Sequence, residues 1–382
     1  MKLSWDIFCN VIDNYGDIGV CWRLARQLAA EHGYAVRLWV DDLAPFARLC
    51  PGLDLTLESQ SIGGVAVRKW RIPFPDALPA DVVIEAFGCK LPDNYRTAMA
   101  LRSSHPTWIN LEYLSAEAWV TGTHGLPSPM PPLTKYFFFP GFTADTGGLL
   151  REHDLLASRD EFQGDRAAKN HFWHSIAVPA RRDDEIRVSL FCYDNPWIEN
   201  LLRAWVNGTR SITCVVPQGV ATQALTAWFG CAPVVGACHK QGKLTLHVMP
   251  FLPQERYDYL LWACDVNFVR GEDSFVRAQW AARPFVWQIY PQQDDVHLTK
   301  LNAFLDLYCH DFSLPNAQQL RRFWLAWNGQ GDVAIAWPGF ADALGSLGDH
   351  TNRWTQQLVA QGDLASNLAA FCNNLVKSRV ST

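Results

Sequence analysis

The chain has 382 residues, 49% of them hydrophobic and 19% charged, with a formal net charge of −5. That length suits two domains of ordinary size, and the mild acidity without any basic stripe argues against a general nucleic-acid binder. Eleven cysteines, an odd number with no C-x-x-C pair and no metal-finger spacing, read as small buried hydrophobes in a reducing compartment. The first residues carry no signal-peptide pattern and no apolar run reaches membrane-spanning length, so a soluble cytoplasmic chain with no membrane partner is expected. Most of the seventeen tryptophans should serve packing, and a minority can stack on a base or sugar ring.

Leu3 to Val11 is an apolar run of strand length, followed by the turn-rich loop Ile12-Asp13-Asn14-Tyr15-Gly16-Asp17-Ile18-Gly19. Helical periodicity then places Val20, Leu24, Leu28 and Ala29 on one face, ending near Gly33, and Val36 to Val40 forms a strand that stops at Asp41-Asp42. This β-α-β unit implies a parallel sheet with a right-handed crossover. The pattern continues with Asp81 to Ile84 running into Glu85 and Gly88, and Thr107 to Leu111 running into Glu112-Tyr113. Polar residues at strand exits lie where a doubly wound domain puts its site. Gly125 to Pro132 is proline-rich and expected to be irregular, and Tyr136 to Phe139 is expected to close the first domain.

From about Ser158 to Asp184 the chain turns polar, which predicts a boundary dividing it into residues 1–180 and 181–354. Beyond it the alternation restarts, with strands at Ile186 to Cys192, Ser211 to Val216, Leu244 to Val248, Val266 to Val269 and Phe285 to Ile289. Helical segments such as Trp197 to Trp205 and Gln254 to Ala263 separate them. Finally Asp363 reads as an N-cap, and Leu364, Leu368, Phe371, Cys372 and Leu375 line one face of a helix. A helix of that kind, within 355–382, is expected to pack back on the first domain. Two α/β domains of similar construction imply a cleft between them.

Two stretches can carry chemistry. In Arg270-Gly271-Glu272-Asp273-Ser274-Phe275 a strand passes through a turn into a helix, the arrangement that offers backbone N–H groups and a helix N-terminus to an anion. Gly271 lets the backbone come close and Asp273 or Ser274 suits the N-cap; the alternative is a capped turn without a ligand. In the loop after the first strand, Asp13 and Asp17 can face one pocket as general base and orienting group, or one can cap the helix while the other turns the chain. The Gly-x-Gly-x-x-Gly fingerprint, the Gly-x-x-x-x-Gly-Lys-Ser/Thr loop and the Gly-x-Ser-x-Gly elbow are all absent, which disfavours dinucleotide oxidoreductases, P-loop enzymes and serine hydrolases. His171 and His174 lack a third ligand, and no Asp-x-Asp pair follows a strand of the first domain.

Taken together, these strings resemble the EarP family of bacterial protein-arginine rhamnosyltransferases, along the whole chain. The resemblance rests on Asp13-Asn14-Tyr15-Gly16-Asp17-Ile18-Gly19-Val20, Leu38-Trp39-Val40-Asp41-Asp42 and Trp108-Ile109-Asn110-Leu111-Glu112-Tyr113-Leu114-Ser115. Phe139-Pro140-Gly141-Phe142-Thr143, Gly147-Gly148-Leu149-Leu150-Arg151-Glu152 and Phe268-Val269-Arg270-Gly271-Glu272-Asp273-Ser274-Phe275 complete it. It implies a GT-B fold, two Rossmann-like α/β domains facing a central cleft, with the first taking the acceptor and the second the nucleotide sugar. It further implies an inverting, metal-independent transfer of rhamnose from dTDP-β-L-rhamnose to an arginine of elongation factor P, with no cofactor beyond the donor substrate.

By the same resemblance Asp17 looks like the general base, Asp13 like its partner in orienting the guanidinium, and Glu272 like a required donor-loop glutamate. Tyr193, Phe251, Gln254, Arg270, Asp273, Ser274 and Tyr290 look like the nucleotide pocket. A carboxylate beside a diphosphate is repulsive unless it faces hydroxyls or a cation, which directs Glu272 toward the sugar. Two alternatives differ in chemistry: a GT-B enzyme acting on a glycan or as an epimerase, and a two-domain protein that binds a translation factor without turnover.

Overall fold

The computed structural model describes residues 3–380 and divides into two compact units, one comprising the chain up to His153 together with the part from Gln357 onward, the other Asp154–Gln356. The first unit is built on strands β1 (Ser4–Cys9), β2 (Ala35–Val40), β3 (Ser59–Ile62), β4 (Val65–Lys69), β5 (Val82–Ala86), β6 (Thr107–Leu111), β7 (Pro127–Met130) and β8 (Leu133–Phe138). They form one sheet in the order β3-β4-β2-β1-β5-β6-β8-β7, parallel except for the outermost strand on each side. Strand β1 is buried on both faces because both are covered, as is usual for parallel strands. The helix Gly16–Ala30 brings Ile18, Cys21 and Leu24 to the core, and the helix Asp93–Leu101 brings Tyr95 and Met99 against Phe8, Trp39 and Trp108.

Asp6 is the one charge in the middle of β1, and it is fully buried. Arg37 grips it with two bonds, Nε to Oδ1 at 2.6 Å and Nη2 to Oδ2 at 2.5 Å. The Trp39 indole, the Tyr95 hydroxyl and the Ala80 amide also donate to it, so the buried charge is compensated rather than stranded.

Strand β7 corrects the expectation that Gly125 to Pro132 is irregular. It is an edge strand antiparallel to β8, in register Pro127↔Tyr136, Ser128↔Lys135 and Pro129↔Thr134. Leu126 accepts a hydrogen bond from the Phe137 amide, so the alternate positions Pro127 and Pro129 fall where a strand amide points away from its neighbour. The antiparallel hairpin β3–β4, which turns at Gly63-Gly64, was not anticipated either; its short polar first arm shows little alternation.

The second unit holds β9 (Glu185–Leu190), β10 (Ser211–Pro217), β11 (Cys238–Gln241), β12 (Leu244–Met249), β13 (Val266–Arg270) and β14 (Phe285–Gln288). Their order is β11-β12-β10-β9-β13-β14, with β11 alone antiparallel. This unit starts at Asp154 rather than at 181, because the stretch expected to be a polar boundary is two helices, Leu155–Gly164 and Arg166–Ser175. Their few apolar residues are well placed: Phe162 meets Tyr259 edge-on with ring centroids 5.0 Å apart and lies 6.0 Å from Trp262. His171 and His174 flank the buried pair Phe172-Trp173 and point to solvent.

In each sheet the chain order reverses once. In the first unit β1 lies between β2 and β5; in the second β9 lies between β10 and β13. Loops leaving such paired strands part to opposite sides of the sheet and open a crevice at the carboxyl ends. The loops after β1 and β5, and those after β9 and β13, are therefore the places to look for function.

Candidate active site

In the first unit the chain leaves β1 through residues 10–15 and enters the helix at Gly16. Two carboxylates hold this loop. Asp41, just past β2, accepts the Val11 amide at 2.9 Å, and Asp17 Oδ2 accepts the amides of Ile12 at 2.8 Å and Asp13 at 2.9 Å. Neither Asp13 nor Asp17 is a helix cap: Tyr15 occupies that position and has no side-chain cap bond. Asp17 points back into the loop instead, and is 2% exposed.

Burial lifts the Asp17 carboxyl above the ordinary range, against the two amides and a hydrogen bond donated by the Tyr113 hydroxyl, which favour the charged form; the charge of Asp41 adds to the rise. Asp13 is half-buried, with its carboxylate lying over Gly16, where an added Cβ would meet Oδ2 at 2.5 Å. Tyr113 lies two residues beyond β6, and its ring stacks on Phe87 with centroids 4.6 Å apart. Phe87, the residue after β5, holds a left-handed backbone conformation at φ 57°.

In the second unit the loops after β9 and β13 meet. The Arg270 guanidinium lies over the ring of Tyr193 at 4.4 Å and over that of Phe191 at 5.0 Å. Tyr290 packs edge-on against Tyr193 at 5.6 Å, and Phe251 against Phe191 at 6.3 Å. Gly271 takes φ 58°, which frees the turn, and its carbonyl accepts the Trp287 indole N–H at 2.7 Å. The helix that follows is Asp273–Trp280, and its N-cap is Glu272 without a side-chain cap bond, which corrects the expectation that Asp273 or Ser274 caps it.

Each of those two residues has another task. The Ser274 hydroxyl donates to the Arg270 carbonyl at 2.5 Å and accepts the Arg270 amide at 3.0 Å, closing the turn on itself. Asp273 accepts from Gln254 Nε2 at 3.1 Å. Glu272 is half-exposed at the tip. Behind the turn, Arg277 and Asp258 form a buried two-bond ion pair at 2.8 and 2.7 Å that ties this helix to Gln254–Ala263.

Thus the structure gathers Arg270, Asp273, Ser274, Gln254, Tyr193, Tyr290 and Phe251 around one turn, and Asp13 and Asp17 where the loop after β1 enters its helix. Sequence reasoning missed Phe191, which lies beneath Arg270, and Phe87; it placed Tyr113 at a strand exit but gave it no role, and both Phe87 and Tyr113 back Asp17. The signal for Phe191 was available, since it sits two residues before Tyr193 at a strand exit; Phe87 gave none, because a left-handed phenylalanine has no sequence signature. Among the described residues, no group of three or more His, Cys, Asp or Glu is placed to hold a metal ion, and no helix is long and apolar enough to cross a membrane.

Two Rossmann-like units, each with its polar loops at the switch point of a parallel sheet, are the architecture of the GT-B fold of glycosyltransferases. A solved α-glucosyltransferase in complex with UDP and DNA shares this fold, with a TM-score of 0.52 at 9% identity over the whole of both chains. The chain belongs to the family described as Elongation-Factor P (EF-P) rhamnosyltransferase EarP, which it matches over residues 5–373. It is 50% identical over 376 residues to a protein-arginine rhamnosyltransferase of Pseudomonas putida, spanning 98% of this chain and 100% of that one. It is 49% identical over 370 residues to the protein-arginine rhamnosyltransferase of Pseudomonas aeruginosa, spanning 96% and 98%. A solved structure concerning EarP-mediated arginine glycosylation of translation elongation factor EF-P matches with a TM-score of 0.71 at 38% identity, covering 98% of this chain and 99% of that one.

Proposed function

We propose that this chain transfers L-rhamnose from dTDP-β-L-rhamnose to an arginine side chain of elongation factor P, in the cytoplasm, with inversion at the anomeric carbon and without a metal ion. The first unit, up to His153 with the part from Gln357 onward, takes the acceptor, and the second, Asp154–Gln356, takes the nucleotide sugar. The observation that carries this reading is the pair of aspartates after β1: Asp17, buried and made more basic by burial, next to half-buried Asp13.

Arginine is a poor nucleophile because its guanidinium is charged and its nitrogen lone pairs are delocalised. Asp13 and Asp17 grip the guanidinium and localise its charge. As a guanidine nitrogen forms its bond to the anomeric carbon, that carbon's bond to the diphosphate oxygen breaks, its electron pair leaves with dTDP, and the guanidinium proton passes to Asp17. Arg270 and the N-terminus of Asp273–Trp280 supply positive potential for the departing diphosphate. Tyr193, Phe251 and Tyr290 offer ring faces and edges to the nucleotide, Gln254, Asp273 and Ser274 fix the turn, and Glu272 takes sugar hydroxyls. The partners are thus a protein and a nucleotide sugar, with neither nucleic acid nor membrane involved.

The test is incubation of the protein with dTDP-β-L-rhamnose and elongation factor P, followed by mass spectrometry of the acceptor. A gain of one deoxyhexose on arginine is expected. An unmodified acceptor, or transfer only to free sugars, overturns the reading.

A further inference from the structure

We infer that Tyr113 is a positioning residue for Asp17, held in place by Phe87, so that the carboxylate is aimed by a phenol delivered from just beyond β6. The inference rests on the reading of Asp17 as the general base and extends it to the two residues packed behind it.

Three observations support it. First, among the described residues no ion pair to Asp17 is seen: its charged form is supported by the Ile12 and Asp13 amides and the Tyr113 hydroxyl, and of these only the hydroxyl comes from a distant part of the chain. Second, Tyr113 is anchored from both sides of β6. The Phe87 amide donates to the Leu111 carbonyl at 2.7 Å, and the Glu112 amide donates to the Phe138 carbonyl at 3.0 Å. Third, Phe87 stacks on Tyr113 with an interplanar angle of 20° while holding φ 57°, and Gly88 follows at φ 69°. If this exit only had to turn the chain, glycine would do so at position 87 without strain. A buried aromatic in that conformation has a use for its ring, and the ring lies on Tyr113.

The groups facing Asp17 are Asp13 from its own loop, Cys9 from the end of β1, Asp41 from beyond β2 and Tyr113 from beyond β6. The Asp41 carboxylate disfavours its charge, the buried Cys9 thiol stays neutral beside it, and the phenol favours it. Loss of the phenol therefore moves Asp17 to higher pKa and lets it swing.

The experiment is a pH profile of turnover for Tyr113→Phe, Phe87→Ala and Asp17→Asn, each checked for folding by thermal melting. For Tyr113→Phe, kcat should fall about tenfold, the acceptor KM should stay within about twofold, and the acid limb should move up by about one pH unit, as expected for loss of one hydrogen bond to a charged group. Phe87→Ala should lower kcat by a smaller factor, with its limb between the two. Adding Tyr113→Phe to Asp17→Asn should cost nothing further. An unmoved limb and wild-type kcat in Tyr113→Phe, alongside an inactive Asp17→Asn, overturn the positioning role and leave the base assignment standing. Full turnover in Asp17→Asn overturns both.

Discussion

Gly16→Ala separates the geometry of the acceptor loop from its stability. Gly16 is the first residue of its helix and is not in the left-handed region, so alanine can adopt its backbone without strain and is the better helix former. The added methyl, however, would meet Asp13 Oδ2 at 2.5 Å and Cγ at 3.2 Å. The Asp13 carboxylate must withdraw by about 1 Å to reach ordinary contact, and a misplacement of that size in a positioning group costs on the order of 100-fold. Steady-state kinetics with elongation factor P as the varied substrate should show kcat/KM reduced by roughly 10- to 100-fold, with the melting temperature unchanged or slightly higher. Wild-type kinetics would refute the placement of Asp13 in the acceptor clamp. A collapsed melting temperature would refute the claim that Gly16 is there for the carboxylate and not for the helix.

The pH profile of kcat/KM should show an acid limb above the ordinary carboxylate range, because burial raises Asp17, and Asp17→Asn should lower kcat by about 100-fold or more. A raised folded-state pKa means that ionised Asp17 costs stability above its unfolded value, a cost relieved as pH falls through the folded value. Asp17→Asn should therefore melt no lower than wild type at neutral pH and lose that advantage in acid. Arg270→Lys keeps the charge but not the flat guanidinium over Tyr193 and Phe191; calorimetric titration with dTDP should show affinity weakened about tenfold, with acceptor KM unaffected. Asp258→Ala strands Arg277, itself 1% exposed, and should cost about 3–5 kcal/mol in denaturant unfolding, much of it recovered by a second change, Arg277→Met.

The chain announced its fold wherever strands are buried on both faces. Strand β1 and strands β9 to β14, apart from β11, read as short apolar runs between turns, and the structure moves their ends by only a residue or two. What escaped notice were elements whose residues face water: the hairpin β3–β4, strand β11 with its four polar or half-polar residues, and the two helices after Asp154, where charge hid the spacing of Phe162 and Phe172. The site was legible to the extent that it is chemical. Asp13, Asp17 and the Arg270–Ser274 turn stood out as polar residues at strand exits, and their order along the chain matched the family. Its supporting contacts were not legible. That Ser274 closes the Arg270 turn instead of capping, or that Asp41 anchors the Val11 amide, depends on which backbone groups the fold leaves without a partner, and no local pattern encodes that.

The first unit is discontinuous in the chain, and this orders its synthesis. The helix Leu364–Val380 packs on Gly16–Ala30 and β6, with Leu368 and Cys372 fully buried. Leu149 accepts the Leu364 amide, and Gln27 donates to Asp363 Oδ1 at 3.0 Å. During translation all of Asp154–Gln356 emerges before this helix does. At ribosomal rates the first sheet waits on the order of 10–40 s with the flank of its Asp17-bearing helix uncovered. The contiguous second unit can finish folding within that interval, reversing the usual order in which the amino-terminal domain completes first. A nascent chain stalled before residue 364 should therefore resist proteolysis in the second unit while its first remains open to cleavage.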